Sequence, residues 1–264
     1  MEQDELRALS DANLAEFARE HARWLPPTHI EERTDLLLSA AGTRAPGPWN
    51  ALIPLGPDPA DPERSLSAAR AFFDPLQHHA SIYTRAHLDA GLELACRRLG
   101  YEVGTDSPGM VLSAPPIAPE LRAGLQLRHV QDELAAQAFI EVSAIAYESL
   151  QIPAAVTRKL LSVPARWCTP HCQAFVLYEE QLAAAAAMLL FSHGIAGLYW
   201  VGTLPETRRR GHAELITRAL CERAFAQGAR AVSLQASRGG APIYRRIGFK
   251  ELTRYRTYRR PYIG

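Results

Sequence analysis

The sequence predicts a mixed-sheet protein of the α/β (α+β) class built from two halves, and three observations carry that expectation. In the second half, segments of strand and helix periodicity follow one another as β-α-α-β-β-β-α-β-α-β, an order that lays helices on one central sheet. A proline-rich stretch, Ser113 to Leu121 (SAPPIAPEL), separates this half from what precedes it, because proline disfavours helix and strand interiors. The segment Leu94 to Glu102 (LACRRLGYE) also echoes Pro242 to Glu251 (PIYRRIGFKE) in arginine pair, glycine and aromatic residue, each preceded by a helix and then a strand. The echo reads as duplicated halves, with domains at 1–120 and 121–264.

In the first half, Asp11 to Trp24 has helical periodicity, and the proline-rich region from Pro26 to Pro62 reads as loop. A helix follows around Leu66 to Phe73, then a strand at ASIYTRA, a helix at HLDAGLELACRRLG and a strand around GMVLSA. In the second half, LQLRHV alternates like a strand. DELAAQAFIEVSAIAYE is helical, and AAVTRKLLSVPARW reads as a second helix stopped by Pro164. CQAFVLYEE and QLAAAAAMLLFS read as neighbouring strands turning at Glu180 and Gln181, and AGLYWVGTL is a third, ending at Pro205. A helix runs on to about Gln227, followed by the strand RAVSLQAS, the short helix APIYRRIG and the last strand, KELTRYRTY.

Composition narrows the function classes. The chain has 264 residues, 47% of them hydrophobic and 22% charged, enough apolar surface for a sizeable core. Its net charge of +1 builds in no long-range attraction to nucleic acid, and nucleic acid is not expected as a partner. The acidic start, MEQDELRA, is not a secretory signal, and the longest apolar run, Leu182 to Phe191, is shorter than the roughly 20 residues a bilayer span needs. No membrane partner is therefore expected. Four cysteines (Cys96, Cys168, Cys172, Cys221) suggest a reducing cytoplasm. Cys168, His171 and Cys172 cluster in WCTPHC, but no second ligand pair of recognisable spacing follows, so no metal is expected.

The stretch LPETRRRGHAELITRAL, beginning at Leu204, is where chemistry concentrates. It places Arg208, Arg209, Arg210, Gly211, His212 and Ala213 between a strand and an amphipathic helix. The first backbone N–H groups of a helix lack intrahelical partners and carry its positive end, so phosphates bind where a strand turns into a helix. Gly211 permits close backbone approach, and Ala213 keeps the first turn narrow. Two ordinary phosphate loops are excluded: there is no G-x-G-x-x-G, and neither lysine (Lys159, Lys250) follows a glycine as a P-loop requires. The arrangement suits a diphosphate carried on backbone amides, with arginine adding charge.

That arrangement resembles the Gcn5-related N-acetyltransferase (GNAT) family, whose acetyl-CoA signature Arg/Gln-x-x-Gly-x-Gly/Ala is met by Arg208, Gly211 and Ala213. A second element, Tyr-x-x-x-Gly-Phe, is met by Tyr244, Gly248 and Phe249, and the resemblance covers about Gln126 to Arg260. It implies a complete GNAT domain in the second half. The backbone of Val201, Gly202 and Thr203 should pair with the pantetheine arm, and the amides of Arg209 to Ala213 should hold the pyrophosphate. Ser237 stands where the family usually has an asparagine that contacts the pantetheine. Tyr244 stands where it often has a tyrosine that protonates the departing thiolate, which suits a phenol of pKa about 10.

The general base stays open. Many members of the family use a glutamate on the strand that meets the cofactor, but AGLYWVGTL has no carboxylate. Glu148, His193 and Tyr199 are the nearby polar candidates, and a water relay serves equally. The first half resembles a GNAT half that has lost its site: no phosphate signature precedes LACRRLGYE, and Cys96 falls where Tyr244 stands in the repeat. The expected activity is direct acetyl transfer from acetyl-CoA to a primary amine of a small molecule or peptide. The alternative is a non-catalytic acyl-CoA sensor or interaction module. Acceptor identity and oligomeric state are not legible.

Overall fold

The computed structural model describes residues 1–44 and 47–260; Ala45 and Pro46, inside the stretch read as loop, and residues 261–264 lie outside the described residues. The elements run α1 (Gln3–Trp24), β1 (His29–Glu32), β2 (Leu36–Ala40), β3 (Ala51–Pro54), α2 (Pro62–Leu76), β4 (Ser81–Arg85), α3 (Ala90–Arg98) and β5 (Glu102–Leu112). After the proline-rich stretch come β6 (Leu125–His129), α4 (Glu133–Tyr147), α5 (Ala154–Leu160), β7 (Cys172–Glu179), β8 (Leu182–Ser192) and β9 (Ile195–Thr203). The chain continues through α6 (His212–Ala226), β10 (Val232–Gln235), α7 (Ala241–Ile247) and β11 (Lys250–Arg259). The class is mixed α/β, as the sequence predicts.

Three strands occupy the region read as loop. β2 and β3 are only five and four residues long and buried throughout. Strands that short and buried on both faces show no alternation, and the prolines and glycines beside them look like loop chemistry. α1 starts eight residues before Asp11, with Asp4 and Glu5 in its first turn, where acidic side chains suit the positive end of the helix. The helix expected to reach Pro164 ends at Leu160, and Pro164 opens a separate 3₁₀ turn, Pro164–Arg166.

The chain divides into two compact units, one comprising Met1–Met110, Gln235–Arg238 and the tail from Glu251, the other Val111–Leu234 and Gly239–Lys250. In the first, the strand order is β1-β2-β3-β4-β11-β5. β1, β2 and β3 pair antiparallel, β3 and β4 parallel, and β11 pairs antiparallel with β4 through Tyr255 opposite Arg85. The last strand of the chain thus completes the sheet of the first unit. Leu36, Leu38, Leu52, Leu66, Phe73, Ile82, Leu92, Cys96 and Tyr258 form its core.

In the second unit the order is β10-β9-β8-β7-β6, with β10 parallel to β9 and the rest antiparallel. The alanines of β8 from Ala184 to Ala187 are fully buried and keep the sheet surface low, so that helices approach closely. Phe139 of α4 and Trp167 pack with ring centroids 5.1 Å apart, and Ile216 and Leu220 of α6 are buried. No described helix is long and apolar enough to cross a membrane.

Candidate active site

The site begins with the edge of β9. β8 pairs with β9 from Ile195 to Thr203, but β10 pairs only with Ala196 and Gly197. From Leu198 to Thr203, the side of β9 that faces β10 therefore has no partner strand among the described residues. An uncovered strand edge offers alternating N–H and C=O groups to any extended chain that can match them. Val201, Gly202 and Thr203 lie on this stretch.

Within the same stretch, β9 breaks register against β8 between Ala186 and Met188, and Trp200 takes φ 54°. A bulky residue in the left-handed region costs about 1–3 kcal/mol and persists only where its surroundings enforce it. Packing enforces it here. Trp200 is buried, and its ring lies against that of Tyr147 at the end of α4, centroids 4.6 Å apart. A Cβ at Gly202 would sit 2.7 Å from the Cβ of Ala146, so α4 can lie this close to β9 only because residue 202 has no side chain.

β9 then leads into the opening of α6. A 3₁₀ turn, Pro205–Thr207, is pinned by the Thr207 hydroxyl, which donates to the Ala184 and Leu204 carbonyls at 2.9 and 3.2 Å. Arg209 has φ 66°, and Gly211, the N-cap of α6, has φ 86°. No side chain caps α6, so its first amides receive no acceptor from the cap residue. A Cβ built on Gly211 meets nothing within 4 Å. The glycine therefore serves its left-handed φ and the open space before the helix, as a concave anion cradle requires.

The three arginines have separate surroundings. Arg208 reaches back to the Thr203 carbonyl at 3.3 Å. Arg210 donates to Glu179 at 2.6 Å and to the Glu206 carbonyl at 3.1 Å. Arg209 has no ion-pair or hydrogen-bond partner among the described residues and is exposed. His212 is buried, with Nε2 3.4 Å from Glu179, and Ala213 is half-buried on the first turn. Burial raises the Glu179 carboxyl, but its hydrogen bond from Arg210 and the nearby His212 ring outweigh this and hold it below the usual carboxylate range.

Tyr244, on α7, is buried, and its ring packs edge-on to Phe249 at 5.7 Å. Glu214 of α6 ties α7 in place by accepting from Arg218 at 3.0 Å and Arg246 at 3.3 Å. Burial, and then the nearby Cys221 thiol, push the Tyr244 hydroxyl well above the ordinary phenol range.

The other sequence candidates are spread out. Glu148 is exposed and opens the 3₁₀ turn that follows α4. His193 is exposed in the β8–β9 turn, at the opposite end of β9 from Thr203. Tyr199 is buried on β9 opposite Met188. Ser237 is half-buried after β10, in the segment Gln235–Arg238 that belongs to the first unit. Tyr147, one residue before Glu148, was not singled out by the sequence. The available signal was its place on the buried helix face four and eight residues after Ser143 and Phe139.

No three His, Cys, Asp or Glu side chains gather to hold a metal among the described residues. A cleft of about 620 Å³ elsewhere in the unit, lined by His129, Asp132, Cys168 and Gln173, includes none of the residues of β9, the loop or α7.

Residues 192–252, from the β8–β9 turn to the start of β11, match the family described as Acetyltransferase (GNAT) domain. That stretch is similar to a GNAT acetyltransferase domain. No curated protein matches the chain. Among solved structures, a GCN5-related N-acetyltransferase from Kribbella flavida is 20% identical, with a TM-score of 0.71 over 94% of this chain and 95% of that one. Another from Sphaerobacter thermophilus is 19% identical, with a TM-score of 0.64 over 88% and 82%. A tandem GNAT protein from the clavulanic acid biosynthesis pathway is 14% identical, with a TM-score of 0.61 over 89% and 83%. These likenesses concern the fold. The family implies acyl transfer from acyl-CoA, and the uncovered edge of β9 and the opening of α6 both lie within the matched residues.

Proposed function

We propose that the protein moves an acetyl group from acetyl-CoA directly to a primary amine of a small molecule or peptide. One observation carries the reading: the uncovered edge of β9 leads through a short 3₁₀ turn to a helix with no side-chain cap, whose N-cap is a left-handed glycine facing open space. A donor with two amide groups in an extended arm and a diphosphate at its end matches both parts. In this reading Val201, Gly202 and Thr203 pair with the arm, and the amides from Arg209 to Ala213 hold the diphosphate with charge from Arg208 to Arg210. The backbone freed at the Trp200 bulge offers a donor to the thioester carbonyl, and Tyr244 returns a proton to sulfur. Orientation of two bound substrates supplies the remaining rate enhancement. The reaction as proposed calls for no metal.

The first unit supports a reading as a duplicated half without a site. In both halves of the sequence the elements run strand, loop, helix, strand, helix and strand, with β3 parallel to β4 as β9 is to β10. In both, the second helix ends at a left-handed glycine, Gly100 or Gly248, followed by an aromatic residue. The helix matching α6 is α2, and it opens with Asp61-Pro62-Glu63. The Asp61 carboxylate already accepts the Arg64 amide at 3.0 Å, Pro62 has no N–H, and Glu63 repels an anion. Cys96, standing where Tyr244 stands, is fully buried, and burial pushes its thiol up to about 12. Neither phosphate nor proton transfer suits this unit. All four cysteines are free thiols, which supports a cytoplasmic setting.

Thiol release from acetyl-CoA across a panel of amines tests the activity. The absence of a carboxylate from β9 gives weight to a second reading, a non-catalytic acyl-CoA sensor. A sensor binds acetyl-CoA and releases no thiol with any amine class, whereas an enzyme releases thiol in proportion to protein with at least one.

A further inference from the structure

The loop proposed to hold the diphosphate has an anion beside it. Glu179, the last residue of β7, accepts from Nη1 of Arg210 at 2.6 Å through Oε2, and the same oxygen lies 3.4 Å from Nε2 of His212. The Arg210 side chain is 53% exposed and that of His212 2%. Neither ring nitrogen of His212 has a hydrogen-bond partner among the described residues. One carboxylate oxygen thus stands between an exposed cation that can turn away and a buried imidazole that cannot.

Few other charges surround that imidazole. α6 packs on β8, β9 and α7. β8 has no ionisable residue, and β9 has only the buried Tyr199. α7 carries Tyr244, Arg245 and Arg246, and Arg246 is held together with Arg218 by Glu214 in the first turn of α6. In the loop, Arg208 reaches back to the Thr203 carbonyl, while Arg209 and Glu206 are exposed, as is Glu180 beyond β7. Among the described residues, Glu179 is the carboxylate within ion-pair distance of His212. While Arg210 neutralises Glu179, the positive end of α6 opposes a charge on the imidazole. A diphosphate on the first amides of α6 would offer Arg210 a more highly charged partner. Glu179 would then be left as a partly buried carboxylate beside an anion, which is costly unless a second cation takes the place of the guanidinium. Histidine is the side chain that gains a proton near neutral pH, and His212 is already in position.

We propose that Glu179 and His212 form a proton-linked latch on Arg210: the donor's diphosphate draws Arg210 away from Glu179, and His212 takes a proton from water to replace it. The inference rests on the acyl-transfer reading above. No covalent bond between heavy atoms changes, and up to one proton enters from solvent with each donor bound. Because the bound state holds more protons than the free state, the donor is held more tightly as pH falls through the neutral range. Glu179 and His212 act through Arg210 and are positioning residues.

Calorimetric titration of acetyl-CoA in buffers of different ionisation enthalpy counts the protons taken up and needs no acceptor. The ionisable phosphate of acetyl-CoA is the same in every titration, so the difference between wild type and variant isolates the latch. His212→Gln and Glu179→Gln each remove one member of it. Near pH 7, wild type should take up about half a proton more than either variant, and the ratio of wild-type to variant affinity should rise about fivefold from about pH 8 to about pH 6. His212 is buried, so Glu179→Gln, at a partly exposed position, decides the test if His212→Gln does not fold. Equal proton uptake and a constant affinity ratio in wild type and Glu179→Gln overturn the latch and leave the acyl-transfer reading standing. Wild-type protein that does not bind acetyl-CoA overturns that reading, and the latch with it.

Discussion

Tyr147 lies against Trp200 with ring centroids 4.6 Å apart, and Trp200 is the residue at which β9 turns left-handed. The last turn of α4 therefore holds the bulge in the strand proposed to receive the acyl donor. Two further features fix the contact: Gly202 gives α4 room to approach, and the register break against β8 between Ala186 and Met188 marks the irregularity in β9.

Gly202→Ala should destabilise the protein by about 1–3 kcal/mol, because the new methyl would overlap Ala146 and force α4 outward. Gly211→Ala meets no protein atom and should lose only about 1 kcal/mol, from its left-handed backbone. Urea midpoints of the two variants check the ranking, which reverses if α4 yields easily at Ala146.

Arg209 and Arg210 should differ in their contribution to donor binding. Arg209 is unengaged, whereas Arg210 is bound to Glu179. Arg209→Ala should weaken acetyl-CoA binding about threefold to tenfold at low ionic strength, and less in higher salt. Glu179→Gln should tighten it by about twofold or more, since it frees Arg210 and removes an anion beside the loop. Titration calorimetry at two salt concentrations measures both.

Much of this site was legible because it is local. Arg208, Gly211 and Ala213 fall within six residues, and the punctuation by Pro205 and by the helix after Gly211 is written in the chain. The partner of Trp200 was not legible. Tyr147 precedes it by more than fifty residues and meets it only through the packing of α4 on β9. The strands β2 and β3 escaped because four or five buried residues carry no periodicity. The destination of β11 escaped because KELTRYRTY alternates equally well whichever sheet it joins.

Stability should fall in mild acid through His21. Burial lowers its pKa to about 3, against 6.5 unperturbed, and its ring packs on Phe17 and Trp24. The unfolded chain therefore binds a proton that the folded chain refuses. This contribution is fully present above about pH 6.5 and is lost as pH falls toward 3, with a slope of up to about 1.4 kcal/mol per pH unit. His21→Phe should flatten the denaturation midpoint between pH 4 and pH 7 relative to wild type. Parallel curves would mean that His21 does not stay neutral in the fold.

Tyr244→Phe should lower kcat by roughly 10²-fold with any accepted amine while leaving acetyl-CoA affinity nearly unchanged, because the hydroxyl acts only as sulfur departs. Steady-state kinetics together with a direct binding measurement separate the two effects. Unchanged kcat would leave Tyr244 as a core aromatic.

The central claim is that β9 and the opening of α6 bind the acyl donor through backbone groups, and calorimetric titration of acetyl-CoA into wild type and Gly211→Val tests it most directly. Valine at Gly211 would place a branched side chain at φ 86° and fill the space before the first helical amides. The account expects saturable binding by wild type, and loss of that binding in a Gly211→Val protein that still unfolds cooperatively. Equal affinity in the two proteins, or no heat from wild type, would contradict it.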